Sequence, residues 1–107
     1  MKLGIDIGSK NISMAFLDNQ SVIFNKTFPH NGNIFKSLLE EIEILLQKFN
    51  IKDIESYGIC GSVDLAGIKT IDTILASVES NKFLKTGRKN ILSIGCESYS
   101  LVVLDEN

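Results

Sequence analysis

The sequence predicts a mixed α/β domain with the element order βββαβαββ, and three features carry that expectation. The N-terminal third alternates apolar and polar residues in short runs separated by turn-formers. The period then switches to helical spacing at Ile34 and later returns to strand-like runs. A helical crossover normally brings back a strand parallel to its predecessor, so a strand after that helix makes the sheet a mixed one.

Lys2 to Ile7 is a short apolar run stopped by the turn-formers Gly8-Ser9-Lys10-Asn11. Ile12 to Leu17 follows, with Ile12, Met14 and Phe16 alternating with Ser13 and Ala15, the spacing of a strand with one buried face. Asp18-Asn19-Gln20 marks a second turn. Ser21 to Phe28 is a third run, with Val22, Phe24 and Lys26 on one face and Ile23, Asn25 and Thr27 on the other. Three strands joined by short turns make an antiparallel meander.

From Ile34 the apolar residues Ile34, Phe35, Leu38, Leu39, Ile42, Leu45, Leu46 and Phe49 recur at three- and four-residue intervals. This predicts an amphipathic helix of about four turns with Asn33 as its N-cap. Glu55 to Cys60 reads as a fourth strand ending at Gly61. Ile68, Ile71, Ile74, Leu75 and Val78 predict a second helix from about Ala66 to Phe83, with Asp64 as an upstream cap. The apolar stripes of both helices are expected in the core. Ile91 to Ile94 and Tyr99 to Leu104 are two further strands around Gly95-Cys96-Glu97-Ser98. Residues 1–90 thus make one lobe, and 91–107 form a hairpin that either packs on the same sheet or begins a second lobe.

Composition removes several classes of function. The chain has 107 residues, 44% of them hydrophobic and 22% charged, which excludes disorder and low-complexity architectures. A net charge of −2 without a basic block excludes a nucleic-acid footprint. The apolar stretches are too short to span a bilayer, so neither a membrane nor a nucleic acid is expected as partner, and a cytoplasmic setting is. Cys60 and Cys96 lack zinc-site spacing and read as reduced, buried or half-buried thiols. His30, alone beside Pro29, reads as a surface residue.

Two stretches repeat one pattern. Leu3-Gly4-Ile5-Asp6-Ile7-Gly8-Ser9 and Ile91-Leu92-Ser93-Ile94-Gly95-Cys96-Glu97 each run a strand into an Ile-Gly turn, and another strand follows each. In the first, Asp6 sits near the end of an apolar strand, where a carboxylate calls for a donor or a metal-bound water. Gly8 permits a tight turn and close approach of a ligand. Ser9, Lys10 and Asn11 offer donors to an anion such as phosphate. On residues alone an ordinary β-turn with a polar tip is the commoner reading.

Gly4-Ile5-Asp6-Ile7-Gly8-Ser9 resembles the first phosphate motif of the actin, heat-shock chaperone and sugar kinase superfamily, and the element order resembles one ribonuclease-H-like lobe of it. Within that superfamily the chain is most similar to the activator ATPases of 2-hydroxyacyl-CoA dehydratases and benzoyl-CoA reductases. These begin Gly-Ile-Asp-Ile/Val-Gly-Ser-Thr and carry a second motif like Asp-Ile-Gly-Gly-Gln-Asp-Ser-Lys, in the place of Ser93 to Ser100 here. The resemblance implies ATP or ADP with Mg as ligand. Asp6 would organise the magnesium through water, Gly8 and Ser9 would lie against the terminal phosphates with Lys10 beside them, and Gly95 would form the second tight turn. It assigns no catalytic residue.

The departures from the family pattern are specific. Lys10 and Asn11 replace threonines and Ser13 a lysine. In the second loop Ser93 replaces an aspartate, Cys96 a glycine, Glu97 a glutamine, Ser98 an aspartate and Ser100 a lysine. A Cβ at Cys96 would be strained if that position needs a positive φ. The family's iron–sulfur ligands follow the second motif, and Cys60 and Cys96 do not match them, so no cluster ligand is expected in this chain. The resemblance implies the ATP-binding lobe of a longer protein, an ATPase only when a second lobe completes it. In the family, hydrolysis drives a domain movement that passes an electron to an acyl-CoA dehydratase or reductase, and oligomerisation is left open. Two alternatives stand beside it: a degenerate, non-catalytic nucleotide-fold module for assembly or regulation, and a lobe of a small-molecule kinase with Asp64 as its aspartate.

Overall fold

The computed structural model describes residues 1–61 and 67–105. The order along the chain is β1 (Lys2–Ile7), β2 (Asn11–Asp18), β3 (Ser21–Pro29), α1 (Ile34–Leu46), a 3-10 turn (Ile51–Asp53), β4 (Ser56–Gly61), α2 (Thr73–Phe83), β5 (Asn90–Ile94) and β6 (Tyr99–Val103). Four strands form one mixed sheet in the order β3-β2-β1-β4, and β5 and β6 form a separate two-stranded sheet. The meander β1-β2-β3 is antiparallel, and β4 returns beside β1 in parallel after the α1 crossover.

One face of the four-stranded sheet carries the core. Ile5 and Ile7 of β1, Ile12, Met14 and Phe16 of β2, and Ile59 of β4 are buried there together with Leu45 of α1. Each such side chain contributes about 2 kcal/mol by leaving water. Leu38, Ile42 and Phe49 extend the cover from the helix side, and Phe49 packs on Phe16 with ring centroids 4.7 Å apart. Asn33 caps α1 as its sequence predicts, accepting the Lys36 N–H. One charged residue also belongs to this interface: Glu41 of α1 is buried and takes both carboxylate bonds, each 2.8 Å, from Lys26 Nζ of β3.

The faces of β3 differ from the simple alternation. A register shift at Phe16/Leu17 pairs Phe16 with Phe24 but Leu17 with Val22. Directly paired residues share a face, so Val22 lies opposite to Phe24 and Lys26, on the outer face with Leu17. The irregularity inserts one extra residue, Ile23, and this reverses the parity before it.

The second helix also differs. It starts at Thr73 rather than Ala66, because Asp72 accepts the N–H groups of Ile74 and Leu75 at 2.9 and 3.0 Å and so caps it there. Asp64 lies outside the described residues. Ile71 precedes the helix, its N–H bonded to Ile59 O at 2.7 Å and its side chain seated over Gly58. No residue of α2 is buried, so its apolar stripe is not core in this chain: Ile74 and Leu75 are each 53% exposed. No helix among the described residues is long and apolar enough to cross a membrane.

Where β4 ends, Gly61 pairs with Ile7 at a φ of +136°, and a Cβ there would lie 2.1 Å from the Ile7 carbonyl oxygen. Backbone cannot yield as a flexible side chain does. Gly61→Ala is expected to lower stability by about 3 kcal/mol or to prevent folding, read by urea denaturation. Lys26→Met, which strands the buried Glu41 carboxylate, is expected to lower it by about 2 kcal/mol in the same assay.

Candidate functional site

At the end of the sheet where β1 turns into β2, Gly8 N–H bonds Asn11 O at 2.9 Å and closes a tight loop. The second hairpin repeats this bond: Gly95 N–H to Ser98 O at 2.7 Å. The crowding is repeated too. A Cβ on Gly8 would stand 3.1 Å from Asn11 O, and one on Gly95 3.2 Å from Ser98 O. The Ile-Gly echo in the sequence is therefore a shared backbone geometry.

Both loops open on one cleft of about 680 Å³, within the usual range for small-molecule sites. Asp6, Gly8, Ser9, Lys10 and Gly95, the five residues singled out in the sequence, all line it. So do Cys96, Glu97 and Ser98 of the second loop, and Thr73 and Ile74 at the start of α2. Cys96 is exposed and does not adopt a positive φ, so its Cβ adds no backbone strain.

Asp6 reaches the cleft through the alternation of β1. With Ile5 and Ile7 buried on the core face, its carboxylate is exposed on the other. The register extends that position into a row across the sheet: Thr27 pairs with Ser13, Ser13 with Asp6, and Asp6 with Cys60. Ser13 and Thr27 join hydroxyls at 2.8 Å and also line the cleft. At the far end of the row the Cys60 thiol is half-buried, and burial, reinforced by the Asp6 charge and a hydrogen bond to it, pushes its pKa up to about 11.

His30 is not the surface residue its isolation predicts: it is 5% exposed. Its Nδ1 accepts the Gly32 N–H at 3.1 Å, and its Nε2 lies 3.0 Å from Gly8 O. Its backbone N–H bonds Lys10 O at 3.1 Å. A histidine with both ring nitrogens satisfied can be buried without an orphaned polar atom. Nothing in the sequence marked it. Thr27 and the Ser13–Thr27 pair were likewise hidden, since only strand register brings them beside Asp6.

No group of three or more metal-ligating side chains occurs among the described residues. The Asp6 carboxylate beside polar loops does fit magnesium, which keeps most of its waters and is commonly held by one or two carboxylates together with substrate phosphates.

These features place the chain in a class by fold: a mixed α/β lobe shared with a nucleotide-bound dehydratase activator. That protein is the activator of the 2-hydroxyisocaproyl-CoA dehydratase from Clostridium difficile, solved with bound ADPNP, and the chain superposes on it with a TM-score of 0.77 at 21% sequence identity. The match covers 97% of this chain and 41% of the activator, so this chain spans less than half of its length. No protein-family model matches the chain, and no curated protein does.

The contrast between the two thiols is directly measurable. At pH 8 Cys96 is expected to react first with iodoacetamide, while a pKa of about 11 leaves roughly one Cys60 in a thousand as thiolate. Cys60 labelling, followed by mass spectrometry, should lag at least tenfold and quicken as pH rises towards 11.

Proposed function

We propose that this chain is the nucleotide-binding lobe of an activator-like ATPase and holds the phosphates of Mg-ATP or Mg-ADP between its two hairpin loops. The observation that carries this reading is the shared cleft: two loops with one Ile-Gly geometry face the same space, with Asp6 beside the first. Gly8 and Ser9 take the terminal phosphates, Lys10 supplies positive charge, and Gly95 forms the opposite turn. Asp6 orders magnesium through its water shell. The bound ADPNP of the activator sharing this fold supports the choice of ligand.

The domain division follows the same reading. Residues 1–90 form the lobe, ribonuclease-H-like in plan, and 91–107 begin a second one. Asn90, Leu92 and Ile94 pair with Val103, Leu101 and Tyr99. One face of this hairpin therefore carries Leu92, Ile94, Tyr99, Leu101 and Val103, all more than 60% exposed. A two-stranded sheet with a bare apolar face is marginal alone, and further chain laid on that face would bury it. The partner class is an acyl-CoA dehydratase or reductase, in keeping with the activator that shares the fold. The two free cysteines suit a reducing, cytoplasmic setting.

A second reading has its own observation. The second loop brings Glu97 to the cleft, where a carboxylate repels phosphate, and Ser98 stands where the activators carry an aspartate. This favours a module that binds nucleotide or a partner without turnover. Steady ATP hydrolysis by the full-length protein would exclude it.

Asp6→Asn in the full-length protein is expected to weaken Mg-ADPNP binding at least about tenfold by isothermal titration calorimetry, with thermal stability kept. Wild-type affinity in that variant would show the Asp6 assignment to be wrong.

A further inference from the structure

The first loop owes its shape to a buried imidazole. Two of its carbonyls, those of Gly8 and Lys10, are both held by His30: one by the ring Nε2 at 3.0 Å, the other by the backbone N–H at 3.1 Å. The ring's other nitrogen is occupied by the Gly32 N–H at 3.1 Å, and a nitrogen that accepts carries no proton. The proton therefore sits on Nε2, and the ring donates to Gly8 O. His30 is itself fixed from the helix side, because its carbonyl accepts from Asn33 N–H at 2.8 Å and from Ser37 Oγ at 3.3 Å. Asn31 and Gly32, with φ of 49° and 79°, make the tight turn that carries the Gly32 N–H back to Nδ1.

A trans peptide is planar, with its C=O and N–H pointing in opposite directions. Holding the Gly8 carbonyl towards His30 therefore aims the Ser9 N–H away from it. Holding the Lys10 carbonyl does the same for the Asn11 N–H. Neither amide has a partner in the turn itself, whose closing bond runs from Gly8 N–H to Asn11 O. The loop is left with N–H groups oriented by a strut behind it, and preorganised N–H groups of this kind bind anions.

We infer that His30, as the neutral Nε2–H tautomer, is a positioning residue that sets the peptide planes of the first loop for an anionic ligand. This rests on the nucleotide reading for the identity of the anion, and not for the tautomer or the hydrogen bonds. His30 would touch no phosphate. It acts through Gly8 and Lys10.

The test uses the full-length protein and three variants. His30→Leu removes the strut. His30→Gln keeps one donor and one acceptor at the spacing of the ring nitrogens. Lys26→Met loosens α1 from the sheet without touching the loop. Affinities for Mg-ADPNP and for adenosine are measured on each, with folding checked by circular dichroism. His30→Leu is expected to weaken Mg-ADPNP about tenfold while leaving adenosine unchanged, the size of one to two lost hydrogen bonds. His30→Gln should recover most of that loss, and Lys26→Met should bind as wild type. Equal loss of both ligands in His30→Leu, or none of either, overturns the inference. Nitrogen-15 spectra of the wild-type imidazole test the tautomer without any nucleotide: an Nε2–H ring supports the inference, and an Nδ1–H or doubly protonated ring overturns it. Should the wild type bind no Mg-ADPNP, the nucleotide reading fails and the spectra alone decide the role of His30.

Discussion

Ile5 and Ile7 are buried against α1, and a strand turns successive residues to opposite faces, so Asp6 between them can only face the other way. That single parity constraint places the carboxylate in the cleft. It acts on the neighbouring strands as well. Burial of Ile12 and Met14 sends Ser13 to the Asp6 side, and the β2–β3 pairing brings Thr27 next to it. Slipping one strand by one residue would exchange core and cleft together. The core and the candidate site are thus two faces of one decision about register.

The end of β1 receives support from three directions. Gly61 lets β4 run so close to Ile7 that no side chain could intervene. The Gly8–Asn11 bond closes the loop, and His30 holds two of its carbonyls from behind. The second loop has the same closing bond without a histidine strut among its described contacts. Its chemistry differs as well: Cys96, Glu97 and Ser98 bring a thiol, a negative charge and a hydroxyl to the cleft. With Lys10 as the one cation on the two loops against Glu97 and Asp6, attraction for a bare polyphosphate is poor. A magnesium ion held near Asp6 would reverse that balance.

Much of this architecture was legible because period is a robust signal. The meander, the α1 crossover and the last hairpin follow from alternation and from the switch at Ile34, and the five residues marked in the sequence do meet in one cleft. The failures were of other kinds. Val22 changed faces because one extra residue in β3 resets the parity, and no composition rule announces that. The start of α2 was set by a local contest: Asp72 satisfies two N–H groups, and this outweighs a helical spacing continued back to Ile68. His30 was hidden because burial of a histidine depends on partners supplied by backbone distant in sequence, here Gly8, with Gly32 close by.

The distribution of apolar surface separates the two halves of the chain by a physical criterion. On the core face of the sheet, α1 covers the strands and even the charged Glu41 is matched by Lys26. On the other side, α2 leaves Ile74 and Leu75 half exposed, and the β5–β6 hairpin turns five large apolar side chains outward on one face. A contiguous apolar face of this kind is uncommon on a finished monomer surface. It adjoins the cleft, because Ile94 and Tyr99 flank the second loop and Tyr99 lines the cleft itself. Whatever covers the hairpin would therefore also wall the cleft beside Gly95.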